Sequence, residues 1–210
     1  HTGNNSRYFN AQGFYPELGA AQSQESPYYS WYSFHPWPDD YDAWWGIKTL
    51  PAVQESTDSY RRFIIRDHDS VVRHWLRHGA SGWRLDVADE LPDDFIAEIR
   101  DAMEQENPDS FLLGEVWEDG SNKVAYSQRR RYLLGSETHG LMNYPFRTAA
   151  LDWLRGGDAA CFRDTMETIR EHYPRPAFYS ALNILGTHDT PRILTLLGAE
   201  HVPDTKDARA

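Results

Sequence analysis

The chain has 210 residues, 40% of them hydrophobic and 25% charged, the make-up of a globular protein with a sizeable core and not of a disordered or fibrous one. Its net charge of -11 argues against nucleic acid or an anionic membrane as partner, because both ask for a basic face; a neutral ligand suits it better. No apolar run reaches the ~18 residues of a membrane span, and no self-similar period or low-complexity tract is present.

Residues 1–56 are rich in Gly, Asn, Ser and Pro, and their aromatic residues crowd together: Tyr28, Tyr29, Trp31, Tyr32, Phe34, Trp37, Tyr41, Trp44 and Trp45. A segment so poor in aliphatics has to bury something, so these rings are expected to form a small core of their own. A sugar-stacking platform is the other reading, with one or two exposed rings lining a cleft. From Thr57 the pattern turns regular. Tyr60, Phe63, Ile64, Val71, Val72, Trp75 and Leu76 recur at helical spacing, and Gly79 stands where a helix would end.

Residues 82–88 then read as a strand, 92–105 as a helix with Phe95, Ile96, Ile99, Ala102 and Met103 on one face, and 111–117 as a second strand. Further on, 141–146 reads as a strand, 159–172 as a helix and 184–188 as a last strand. Alternating strands and helices predict an α/β fold with a parallel sheet and helices outside it.

Three places in this pattern carry chemistry. In Gly82-Trp83-Arg84-Leu85-Asp86-Val87-Ala88, alternation puts Arg84 and Asp86 on one face and Trp83, Leu85 and Val87 on the other. A buried parallel strand is normally apolar on both faces, so the charged pair needs a reason. Either it is an internal ion pair, or Arg84 keeps Asp86 ionised as a nucleophile. The second strand breaks at Gly114-Glu115, 29 residues after Asp86, close to the roughly 31 per βα unit of an eight-stranded barrel. That spacing sets the two acids on adjacent strand ends. Asp189 follows 74 residues later, which fits two further units and a modest insertion; read alone, Thr187-His188-Asp189-Thr190-Pro191 is also a turn and helix start. Two carboxyl groups flanking a bond, with a third nearby, are the equipment of glycoside hydrolysis. Arg84 lies beside Asp86, whereas Glu115 has no cation in its own strand, which points to Asp86 as nucleophile and Glu115 as acid.

Together, Gly82-Trp83-Arg84-Leu85-Asp86-Val87-Ala88, Gly114-Glu115-Val116-Trp117 and His188-Asp189-Thr190-Pro191-Arg192 resemble three ordered signatures of the α-amylase family of glycoside hydrolases. His1-Thr2-Gly3 looks like the end of the family's signature at the third barrel strand, and Leu50-Pro51 is similar to a short motif late in the domain inserted after it. The resemblance implies a partial TIM (β/α)8 barrel, from the end of strand three through strand seven, with 1–56 as the inserted loop-rich domain and 57–210 as the barrel part. Val87-Ala88-Asp89-Glu90 and Gly114-Glu115-Val116-Trp117 look most like the neopullulanase, cyclomaltodextrinase and maltogenic amylase group, although Asp89 and Glu118 stand where that group more often has Asn and His.

What the resemblance implies for function is a retaining hydrolase of α-glucosidic bonds in maltooligosaccharides, cyclodextrins or related α-glucans, with transglycosylation open to the same intermediate. Asp86 would be the nucleophile, Glu115 the acid/base and Asp189 the transition-state stabiliser. His1, Arg84, His188 and Arg192 would contact the sugar, and Trp117 would stack on its neighbour. No organic cofactor is implied. Structural calcium is known in the family, but Asn4, Asn5, Asp39, Asp40 and Asp42 are too scattered to name a site. The rival is a non-catalytic carbohydrate-binding relative, which has no physical need to hold three acids together.

Other features read as surface. His74 and His78 have metal-ligand spacing but lack a third ligand, and Arg129-Arg130-Arg131, which could attract phosphate, reads as solvated surface in so acidic a chain. Cys161 is the only cysteine and no signal peptide is visible, which favours a cytoplasmic location. The chain opens on His1 and closes on the polar residues 203–210, so both ends read as cuts. A chain lacking strands one, two and eight is expected to have little activity alone.

Overall fold

A computed structural model describes residues 1–198; the polar stretch 203–210 lies outside them. The chain divides into two compact units, His1–His78 and the part from Gly79 onward. This division falls later than residue 56, leaving two helical segments with the first unit.

The first unit is mostly turns. Its core is aromatic, with Phe9, Trp31, Tyr32 and Tyr41 buried together with Ala20 and Val53. Phe9 meets Tyr32 edge-on at 4.9 Å between ring centroids and lies 4.6 Å from Tyr41. The polar ends of the rings are satisfied: Tyr32 Oη pairs with Thr2 Oγ1, Trp31 Nε1 donates to Ser59 Oγ, and Tyr41 Oη donates to the Lys48 carbonyl. Trp45 is well exposed and stacks on Trp44. Helix α1 (Asp58–Arg61) continues as one π-helical turn, Arg62–Arg66, and α2 spans Val71–Arg77. Gly79, at φ +96°, takes the left-handed conformation that ends a helix cheaply only for glycine.

From Gly79 the chain builds strands and helices in alternation: β1 (Gly82–Leu85), α3 (Asp93–Glu106), β2 (Phe111–Gly114), a small hairpin of β3 (Val124–Ala125) and β4 (Gln128–Arg129), then β5 (Gly140–Asn143), α4 (Tyr144–Leu154), α5 (Ala159–His172), α6 (Arg175–Tyr179), β6 (Leu182–Asn183) and α7 (Ile193–Leu196). Strands β1, β2, β5 and β6 form one parallel sheet in chain order. This is an α/β fold, part of a TIM barrel. Helix α3 buries Phe95, Ile96, Ile99, Ala102 and Met103, the face its periodicity marks out.

The expected strand 141–146 is cut short. Asn143 Oδ1 accepts the amide of Phe146 and Pro145 occupies the first turn, so a helix starts at Tyr144. The last strand lies slightly earlier than 184–188, at Leu182–Asn183. The arginine run is not uniformly solvated: Arg129 and Arg131 are exposed, but Arg130 is only 6% exposed. Among the described residues, no helix is long and apolar enough to cross a membrane.

Candidate active site

Leu85 pairs with Gly114 in the parallel register of β1 and β2. Asp86 and Glu115 are therefore each the first residue beyond neighbouring strands, at the C-terminal end where barrels carry their chemistry. A Cβ on Gly114 would come within 2.9 Å of Leu141 Cδ2 on the next strand, so a larger side chain would press on the strand that flanks Glu115.

Arg84 joins the two acids. Its Nη1 pairs with Asp86 Oδ1, and its Nη2 lies 3.0 Å from Glu115 Oε1. Glu115 therefore does have a cation, contributed by the adjacent strand, and the cation asymmetry read from the sequence is absent. What separates the two acids is access: the Asp86 side chain is 58% exposed and that of Glu115 5%. Glu115 is further fixed by the Val87 amide, which donates to Oε2 at 2.7 Å, and by Trp117 Nε1, which donates to Oε1 at 3.2 Å.

Trp117 stacks on Tyr144, with ring centroids 4.1 Å apart and planes 12° from parallel. It also lines a cavity of about 450 Å³ with Pro145, Trp153 and Phe162. Tyr144 connects the third acid to the first two. Burial pushes its phenol up; its bond to Thr187 opposes this, the Glu115 and Asp189 charges add to it, and Arg84 counters them. The Tyr144 hydroxyl lies 3.5 Å from Thr187 Oγ1, which in turn accepts the Asp189 amide. Periodicity hides Tyr144, because the apolar pattern of 141–146 runs straight through it; the Asn143-Tyr144-Pro145 cap is the available signal. Asp189 sits 3.3 Å from His188 Nε2, and Arg192 Nη1 donates to the Thr187 carbonyl. His1 belongs to the first unit, its ring 5.3 Å from that of Trp44.

Behind the site lies a second charged cluster. Arg130 pairs with Asp93 at 2.7 Å, and Arg131 reaches Asp93 at 3.5 Å and Glu137 at 3.6 Å. Glu137 is fully buried; desolvation, followed by the charge on Asp93, pushes its carboxyl up to about 7 against the pull of Arg131 and Arg130.

The model of the alpha-amylase catalytic domain matches residues 1–210. The chain belongs to the alpha-amylase family. Among relatives of this alpha-amylase domain, an amylopullulanase of Thermoanaerobacterium saccharolyticum is 36% identical, covering 94% of this chain and 17% of its own length. A cyclomaltodextrinase of Geobacillus thermopakistaniensis is 31% identical, covering 83% of the chain and 29% of its own length. Among solved structures, the cyclic alpha-maltosyl-(1→6)-maltose hydrolase of Arthrobacter globiformis, in complex with that sugar, superposes with a TM-score of 0.78 at 26% identity, over 95% of this chain and 42% of the other. The alpha-amylase domain described here thus spans less than half the length of each.

Calcium, which the resemblance implies, would take oxygen ligands. Asp40 is engaged by Lys48 and Asp42 by His35, and among the described residues no three of His, Cys, Asp or Glu gather as metal ligands. The rings of His74 and His78 stack on each other at 4.3 Å.

Proposed function

We propose that the protein containing this domain hydrolyses α-glucosidic bonds in maltooligosaccharides, cyclodextrins or related α-glucans, retaining the anomeric configuration. The observation that supports this most is the Arg84 guanidinium spanning Asp86 and Glu115 at the ends of adjacent parallel strands. A guanidinium shared by both acids keeps their carboxyl groups near one another, and a double displacement needs them about 5–5.5 Å apart.

In the first step an Asp86 oxygen attacks the anomeric carbon, while the bond to the leaving sugar breaks and Glu115 gives its proton to the departing oxygen. In the second, water yields a proton to Glu115 and attacks the glycosyl-Asp86 ester, restoring both carboxyl groups; an acceptor sugar in place of water gives transglycosylation. Exposure suits Asp86 to meet the sugar, and the bonds from Val87 and Trp117 hold Glu115 at a fixed angle. Asp189 stabilises the positive charge that builds on the ring. Arg84, His1, His188 and Arg192 contact the sugar, and Trp117 offers it the face that Tyr144 does not cover. Residues 1–56 serve as the loop-rich insertion after the third barrel strand and 57–210 as the barrel part. No organic cofactor takes part, and the domain works in the cytoplasm.

NMR of the first anomer released from an α-glucan tests the mechanism: the α-anomer is expected, and an initial β-anomer would exclude glycosyl-Asp86. Glu115→Gln should slow cleavage about 10²–10⁴-fold on poor leaving groups and much less on activated aryl glycosides. Equal losses on both would remove Glu115 from the acid role.

A further inference from the structure

The turn that follows Asp86 is gripped from behind by one side chain. Arg130, the residue after β4, is almost fully buried and donates from Nη1 to the Asp89 carbonyl at 2.6 Å and from Nη2 to the carbonyls of Leu91 at 2.5 Å and Ala88 at 3.4 Å. Its Nε faces Asp93 at 2.7 Å, and its guanidinium lies over the Tyr132 ring at 4.8 Å. Tyr132 Oη donates to Asp89 Oδ1 at 2.6 Å, and Lys123 Nζ lies 3.0 Å from Asp89 Oδ2. Two arginines and one lysine of the Lys123–Arg131 stretch thus converge on residues 88–93.

The gripped turn is unusual in itself. Val87, a β-branched residue, is held at φ 44° and ψ 57°, a left-handed conformation that such residues avoid, and the chain then makes a tight turn over Ala88–Glu90. Left to itself this backbone would relax, and relaxation would turn the Val87 amide away from Glu115 Oε2 and carry Asp86 with it. A buried ion pair adds little net stability compared with apolar packing, so stability alone gives little reason for an arginine here. Its planar fork, with five donors, suits a set of diverging carbonyls and a carboxylate in a way an ammonium cannot.

We propose that Arg130 is a positioning residue for the reaction: by clamping the carbonyls of residues 88, 89 and 91 it holds Val87 in its left-handed conformation and so fixes Asp86 relative to Glu115. The catalytic part of this inference rests on the hydrolase reading above; the mechanical part does not.

The two parts are measured separately. In Arg130→Ala and Arg130→Lys, hydrogen exchange at the amides of residues 87–91 should rise at least about tenfold, with α3 and β2 little changed. Turnover of maltotriose should fall about 10–100-fold, the cost of a misplacement on the order of 1 Å, with KM nearly unchanged. A cavity of about 340 Å³ lined in part by Arg129, Arg130 and Arg131 gives small solutes access. Millimolar methylguanidinium should therefore restore part of the turnover and slow the exchange in Arg130→Ala, but not in Arg130→Lys, whose ammonium fills the space. If Arg130→Ala fails to fold, Arg130→Lys carries the test. Wild-type exchange at 87–91 in either folded variant would overturn the clamp, and raised exchange with wild-type turnover would overturn its part in the reaction. A full-length wild-type protein, with the barrel completed around this domain, that shows no glucan turnover would sink the hydrolase reading, while the exchange measurement would still decide whether Arg130 holds the turn.

Discussion

The two units bury similar kinds of surface by different means. In His1–His78 the backbone is largely irregular, and the core consists of rings whose polar ends each find a named partner; from Gly79 onward the core is chiefly aliphatic and mounted on strands and helices. Asn10 shows the style of the first unit. It is fully buried, and its amide donates to the carbonyls of Tyr15 and Glu17 and to Gln22 Oε1, doing for an irregular loop what a ladder of backbone bonds does for β1 and β2. An aromatic core of this type depends on ring geometry and on hydroxyl partners, whereas an aliphatic one depends on volume and periodicity.

That contrast is most sharply tested by truncation. Phe9→Ala should cost about 3–5 kcal/mol and Ile96→Ala about 2–5 kcal/mol, measured by chemical denaturation. Replacement by leucine should then separate the units. Ile96→Leu is expected to cost under about 1.5 kcal/mol. Tyr32→Leu should cost far more, because it removes both a ring contact and the bond to Thr2. Equal tolerance at the two positions would abolish the distinction.

Each unit also holds a buried group that should tie its stability to pH. Glu137 has a native pKa of about 7, above its unfolded value of 4.5. As pH climbs between these values the unfolded chain ionises and the native one does not, so stability falls and then levels above about 7. Glu137→Gln should remove that slope, worth on the order of 3 kcal/mol at pH 8 and nearly nothing at pH 4. In the first unit burial is the main cause that pushes Tyr32 up to about 12, so stability falls in alkali between about 10 and about 12, and Tyr32→Phe should reduce that slope. Thermal melts across pH read both.

The smallest effect concerns a helix start in the second unit. Asn143→Ala removes the acceptor of the Phe146 amide and should cost about 0.5–2 kcal/mol, with little change in the first unit.

Legibility in the sequence follows the same division. Helix α3 was readable down to its buried face, and α5 to its bounds, because both carry a 3.6-residue period over fourteen residues. Strand ends overshot. The apolar pattern continues through Val87 and Val116, but the ladders stop at Leu85 and Gly114, where the backbone turns away to present Asp86 and Glu115. The hairpin β3–β4 and helix α6 are too short to show a period at all. Of the site, the spacing of Asp86 and Glu115 put them on adjacent strand ends, as the register has them, but the second partner of Arg84 depends on that register and leaves no local trace. The burial of Arg130 is hidden for the same reason: its partners lie about 40 residues away in the chain.

Val87 carries a consequence for anyone seeking to make this domain tougher. A β-branched side chain at φ 44° raises the energy of the native chain, by about 1–3 kcal/mol, so Gly or Asn there would relieve strain. A heat-selected library should therefore enrich both replacements early, as gains that need no new contact. Yet this is the residue whose amide points at Glu115, so the most accessible route to thermal tolerance passes through the joint between the two acids. Winners of such a screen should be ranked by turnover as well as by melting temperature, since the improvement in one is drawn from the rigidity that serves the other.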